Sequence, residues 1–192
     1  MKSIQVLAAL FLCALLQPAW AGPVFALGPH QLIARMNGIF QQLHDTSPSS
    51  YLMAYHDTMD RVYPGGLRSS SVSGGPDDVK IFCITTDAKN GKNISQIDVT
   101  VGSALSKINI NVVSALISDA VLVRALDPGT SGKQASAIAQ ALLQKTVEEA
   151  KKDEPPEASL VWHGIEYGAE FSQKGKNTLV SFLAKPTNTY KP

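Results

Sequence analysis

Residues 79–101 read VKIFCITTDAKNGKNISQIDVTV, and the fold is decided there. Val79–Thr86 is dense in β-branched and aromatic side chains, which favour a pleated, half-buried strand. Asp87-Ala88-Lys89-Asn90-Gly91-Lys92 is turn chemistry, because Asn90-Gly91 supplies two residues that accept positive φ. Ile94–Val101 then alternates. Ile97, Val99 and Val101 fall on one face and Gln96, Asp98 and Thr100 on the other, the period-two signature of a strand with one side buried.

On the C-terminal side, residues 109–126 read as a mostly buried helix, with a strand alternative for the valine- and isoleucine-rich first half, ended by Asp127-Pro128-Gly129. A second helix is expected from about Gly132 to Lys152. Ser131 followed by Gln134 is a capping-box spacing, the apolar stripe runs through Ala135, Ile138, Ala139, Leu142, Leu143 and Val147, and Pro155-Pro156 forbids continuation. Trp162–Ser172 alternates as one strand, Gln173–Asn177 turns, and Thr178–Ala184 returns. The tail from Lys185 to Pro192, with two prolines, is expected to fray.

On the N-terminal side, Leu32, Ile33, Met36, Ile39, Phe40 and Leu43 recur at helical spacing over residues 29–44, with Pro29 suited to a first helical turn. Tyr51, Leu52, Tyr55, Met59 and Val62 fit a short helix over 50–62. Residues 64–78 (PGGLRSSSVSGGPDD) carry four glycines, two prolines and four serines, and read as a flexible loop. The order of elements argues for an α+β fold: a largely antiparallel sheet built from two β-hairpins, with three to four helices packed on it.

The first 21 residues have the three-part pattern of a cleavable signal peptide. Lys2 precedes an apolar run from Ile4 to Leu16, Gln17-Pro18 breaks it, and Ala19-Trp20-Ala21 offers small residues for cleavage after Ala21. The run is too short for the roughly 20 residues that cross a bilayer. The expected mature domain is 22–192, a single unit. The whole chain of 192 residues has 17 basic and 16 acidic side chains; loss of Lys2 leaves the numbers equal. No basic cluster of the kind that binds nucleic acid is visible. Of two cysteines only Cys83 survives cleavage. A secreted domain without paired cysteines fits the bacterial periplasm better than a disulfide-stapled extracellular module.

Motifs for metal, nucleotide or covalent chemistry are missing: there is no H-E-x-x-H, paired C-x-x-C, calcium loop, G-x-S-x-G elbow or phosphate cradle. No cofactor is expected. If 50–62 is helical, His56 and Asp60 share a face at a spacing able to hold a divalent cation, though two ligands do not complete a site; a solvated helix face with an ion pair to Arg61 or its neighbours accounts for them better. Cys83 with His163 as base is a further pairing to weigh, but a cysteine between Phe82 and Ile84 reads as a small buried hydrophobe. The segment Val161–Tyr167 (VWHGIEY) concentrates aromatic and polar groups around a glycine. Trp162, His163, Glu166 and Tyr167 are therefore the candidate binding residues.

Three functional classes follow. The first is an exported, periplasmic binding or interaction protein, such as an immunity- or inhibitor-type partner of an envelope enzyme or toxin. The second is a carrier of a small apolar ligand or lipid. The third is a metal-dependent or hydrolytic enzyme using His56 and Asp60.

Overall fold

The computed structural model describes residues 23–46, 55–62, 68–74, 79–85, 93–104, 108–150, 157–174 and 177–191. The signal segment and the Asn90-Gly91 turn lie outside them. In chain order the elements are α1 (Pro29–Thr46), β1 (Tyr55–Val62), β2 (Arg68–Gly74), β3 (Val79–Thr85), β4 (Ile94–Ala104), α2 (Ile108–Leu126), α3 (Gly132–Ala150), β5 (Glu157–Trp162), β6 (Ile165–Lys174) and β7 (Asn177–Pro186). The fold is α+β. All the described strands join one seven-stranded sheet in the order β1-β2-β3-β4-β7-β6-β5, and every neighbouring pair is antiparallel.

The two expected hairpins, β3–β4 and β6–β7, are the centre of this sheet, joined where β4 pairs with β7. Three strands are additions. Residues 55–62 form β1 rather than a helix, and Arg68–Gly74, expected to be part of a flexible loop, is β2 between β1 and β3. The apolar positions at 51, 52, 55, 59 and 62 fit helical spacing, but cross-strand pairing overrides so short a pattern. The stretch read as one strand from Trp162 is broken by a turn at His163-Gly164, so β5 and β6 form a hairpin of their own.

One row of residues shows which side is core. Ile97 pairs with Ala184, Ala184 with Tyr167, and Tyr167 with Leu160, across β4, β7, β6 and β5. Ile97, Ala184 and Tyr167 are fully buried, and Leu160 is half-buried against them. Helix α2 packs on β4 and α3 on β5 and β6, while α1 packs on α2 and reaches β1. The opposite face carries Gln96, Asp98, Glu166, Glu170, Ser181 and Lys185, which alternate with the buried set as a half-solvated antiparallel sheet requires.

Helix ends follow local chemistry. The side chain of Gln31 accepts the Gly28 N–H at 2.9 Å, ahead of Pro29 in the first turn of α1. At α3, Gln134 Oε1 accepts the Ser131 N–H at 3.0 Å and Ser131 Oγ accepts the Gln134 N–H at 3.3 Å. This is the reciprocal capping box its spacing implies.

Both ends of the described chain are sewn to the core. The Phe25 N–H donates to Ile94 O at 2.7 Å and the Ile94 N–H to Leu27 O at 3.1 Å. Phe25 is fully buried, with its ring edge-on to Tyr190 at 5.4 Å. The C-terminal tail, expected to fray, is instead tied back through residue 190: the Thr187 N–H and hydroxyl both donate to Gly164 O, and the Tyr190 N–H donates to Thr187 O. Among the described residues no helix is long and apolar enough to cross a membrane.

Candidate interaction site

The β5–β6 turn has only two residues between the last pair, Trp162 and Ile165. Both carry positive φ, His163 at 46° and Gly164 at 78°. A two-residue hairpin of this sign matches the right-handed twist of its strands. Glycine reaches that region freely, and histidine is one of the few other residues found there with any frequency. Gly164 is doubly constrained, because a Cβ on it would lie 2.6 Å from Tyr190 Cα.

The turn brings His163 over the end of α2. His163 Nδ1 lies 2.6 Å from Asp127 Oδ2. The same carboxylate accepts the Gly129 N–H on Oδ1 at 3.1 Å, a side-chain turn closing the α2–α3 connection. It also accepts the Thr130 hydroxyl on Oδ2. The Thr130 hydroxyl in turn accepts Trp162 Nε1–H at 2.9 Å. The Trp162 and His163 rings stack at 4.5 Å between centroids. One carboxylate thus organises a hydroxyl, an imidazole and, through the hydroxyl, an indole.

Electrostatics match this geometry. Partial burial pushes the Asp127 carboxyl up, but hydrogen bonds from Thr130, His163 and the Gly129 N–H, with the charge of the imidazole, outweigh it and hold the group below its ordinary range. An ionised Asp127 accepts a hydrogen bond from Nδ1–H, which fixes the His163 tautomer and leaves Nε2 as the outward nitrogen. The imidazole is 59% exposed and Asp127 only 17%. Neighbouring Val161 is 61% exposed, the most exposed large apolar side chain among the described residues.

The four candidate residues of the VWHGIEY segment separate into two groups. Trp162 and His163 come together at the turn. Glu166 lies on the opposite face, paired with Lys185 at 3.1 Å between directly opposed strand positions. Tyr167 is fully buried and its hydroxyl has no hydrogen-bond partner. Burial raises its phenol above the ordinary value, with Asp127 and Tyr190 adding to the shift. Tyr167 belongs to the core under the site and offers no surface to a partner.

Other pairings are undone by topology. In β1, His56 and Asp60 are four residues apart along an extended chain, about 13 Å at the strand rise, so the helical spacing that put them within reach of one ion does not exist. Their side chains lie outside the described set. Cys83 is in register with Ile97, Ala184, Tyr167 and Leu160, four strand spacings or about 19 Å from β5. His163 lies three residues further along, so it cannot serve as a base for Cys83. Among the described residues no three metal-binding side chains converge.

Sequence reasoning passed over Asp127 and Thr130. Asp127-Pro128-Gly129 carries the signal of a helix stop, and the side-chain role of the aspartate was hidden behind it. No family model, no curated protein and no solved structure matches the chain.

Proposed function

We propose that this is an exported binding protein, and that the β5–β6 turn with Val161, Trp162 and His163 is the surface it offers to a protein partner. The observation that carries the reading is the rigid mounting of a stacked aromatic pair, an exposed His163 ring on a Trp162 ring that is itself partly buried against the core. Trp162 and His163 are stacked, and each is tied to the α2–α3 connection, His163 directly through Asp127 and Trp162 through Thr130. Binding energy at protein interfaces concentrates in a few aromatic anchors. Anchors whose rotamers are already fixed lose less entropy on association. Val161, on the open face of the sheet directly across from Glu166, adds exposed apolar area at the same end of the sheet, and that area gains by being covered.

The export half of the reading rests on the sequence of residues 1–21, and periplasmic residence on the unpaired Cys83. The described core starts at Phe25, four residues past the expected cleavage point. An immunity- or inhibitor-type role suits a small domain that presents a preformed turn. The test is expression in a bacterial host, followed by N-terminal sequencing and site-specific crosslinking from position 161. The reading expects a chain starting at Gly22 in the periplasmic fraction and one dominant crosslinked protein. An uncleaved chain in the cytoplasm, or crosslinks no different from those of the exposed position 145 on α3, would overturn it.

A further inference from the structure

A groove of about 430 Å3 lies between the end of α1, the outer face of α2 and the first turns of α3. Volumes from about 300 Å3 upward are typical of small-molecule sites. Its floor is apolar: Leu116, Ile117, Ala120 and Val121 of α2, with Leu43 of α1 closing one side. Ile117 is 43% exposed there, on a helix whose next turn holds Val121, Leu122 and Val123 in the core.

Arg124 lines the groove and is the only cation of α2. It has no ion-pair partner among the described residues. The other charge of that helix, Asp119, is buried and contributes nothing to the groove wall. Leu116 and Arg124 are eight residues apart, about 12 Å along a helix, so the apolar floor runs for that length and ends at a guanidinium. The α3 wall is small and polar, with Gly132, Ser136 and Gln140 at successive turns. The space beside Gly132 is open, since a Cβ there would meet nothing within 4 Å.

An apolar channel ending at a cation with no ion-pair partner among the described residues is complementary to one chemistry. We infer that the groove binds a single-chain amphiphile with a carboxylate head, the chain lying over Ile117 and Ala120 and the carboxylate meeting Arg124. A guanidinium holds a carboxylate through two parallel N–H···O bonds, geometry that a neutral or cationic head cannot use. This site is separate from the β5–β6 turn and uses none of its residues.

The test titrates the protein, purified after export, with dodecanoate, methyl dodecanoate and dodecyltrimethylammonium, each below its micelle concentration, by calorimetry. Dodecanoate is expected to bind saturably at one site, at least tenfold tighter than the other two. Arg124→Gln should bring dodecanoate to the level of the ester, and Arg124→Lys should restore part of the difference. Ser136→Trp, which fills the groove from its exposed wall, should abolish binding while thermal unfolding stays cooperative. Equal affinity for the three amphiphiles, absence of saturable binding to the folded protein, or binding that survives Ser136→Trp would overturn the inference.

Discussion

Asp127 and His163, 36 residues apart in the chain, meet at 2.6 Å and join the end of α2 to the β5–β6 turn. This contact couples the helix layer to the sheet edge. Asp127→Asn should remove a charge-assisted bond and weaken the hold on Thr130, costing about 1–3 kcal/mol at neutral pH. The folded carboxyl titrates below its ordinary 3.8, so its contribution is fully present above pH 4 and is lost as pH falls through the folded value. Urea unfolding of both proteins between pH 3 and 7 should show a gap that is constant at the upper end and closes at the lower.

Gly164 has a conformation and a neighbour that both exclude a side chain. Gly164→Ala should cost about 2–4 kcal/mol, since a strained φ is combined with a backbone clash that Tyr190 cannot relieve without leaving Phe25. A thermal melt reads the loss directly, and a variant as stable as the parent would mean that the tail does not pack on the turn.

Asp98 of β4 stands on the open face of the sheet, across β7 from Glu170 of β6, itself directly opposite Glu157. Burial raises its carboxyl to about 6, a hydrogen bond from Gln96 opposes this, and Glu170 adds to it. The folded pKa exceeds the ordinary 3.8, so between pH 4 and 6 the folded state holds the proton that the unfolded state has released. Stability is therefore full below about pH 4 and declines as pH rises through 6. Asp98→Asn should flatten that slope and add up to about 3 kcal/mol at neutral pH. Unfolding free energies measured from pH 4 to 7.5 will show whether it does.

Tyr190 packs its ring on Phe25 and its backbone on the turn. Tyr190→Ala should cost about 1–3 kcal/mol, and hydrogen exchange at Gly164 and Ile165 should quicken with it. Unchanged exchange would place the tail outside the cooperative unit.

The helices and the central hairpins were legible because each has a local cause. The 29–44 stripe, the Ser131–Gln134 spacing and the alternation at 94–101 all correspond to elements in the structure. The strands β1 and β2 were not legible. Their stability comes from pairing in one sheet with β3, and serine-rich residues 68–74 have little strand preference of their own. The β5–β6 turn was signalled by His163-Gly164 between two apolar runs, but alternation on either side concealed the break. In the site, Trp162 and His163 were visible as a cluster in one segment. Asp127 and Thr130 reach them only through tertiary folding, and Tyr167 reads as a surface aromatic until the register of β6 places it in the core.

The central claim is that His163 is present for contact with a partner as well as for the turn. Those roles separate in His163→Asn, because Asn-Gly is a favoured pair for a two-residue hairpin of this hand and keeps the turn. The most direct measurement compares native protein, His163→Asn and Val161→Lys as baits for envelope extract, after melts confirm that all three are folded. We expect the native protein to retain one stoichiometric partner, and both variants to retain at least tenfold less. Equal retention by the three baits, or no partner on the native protein, would contradict the claim.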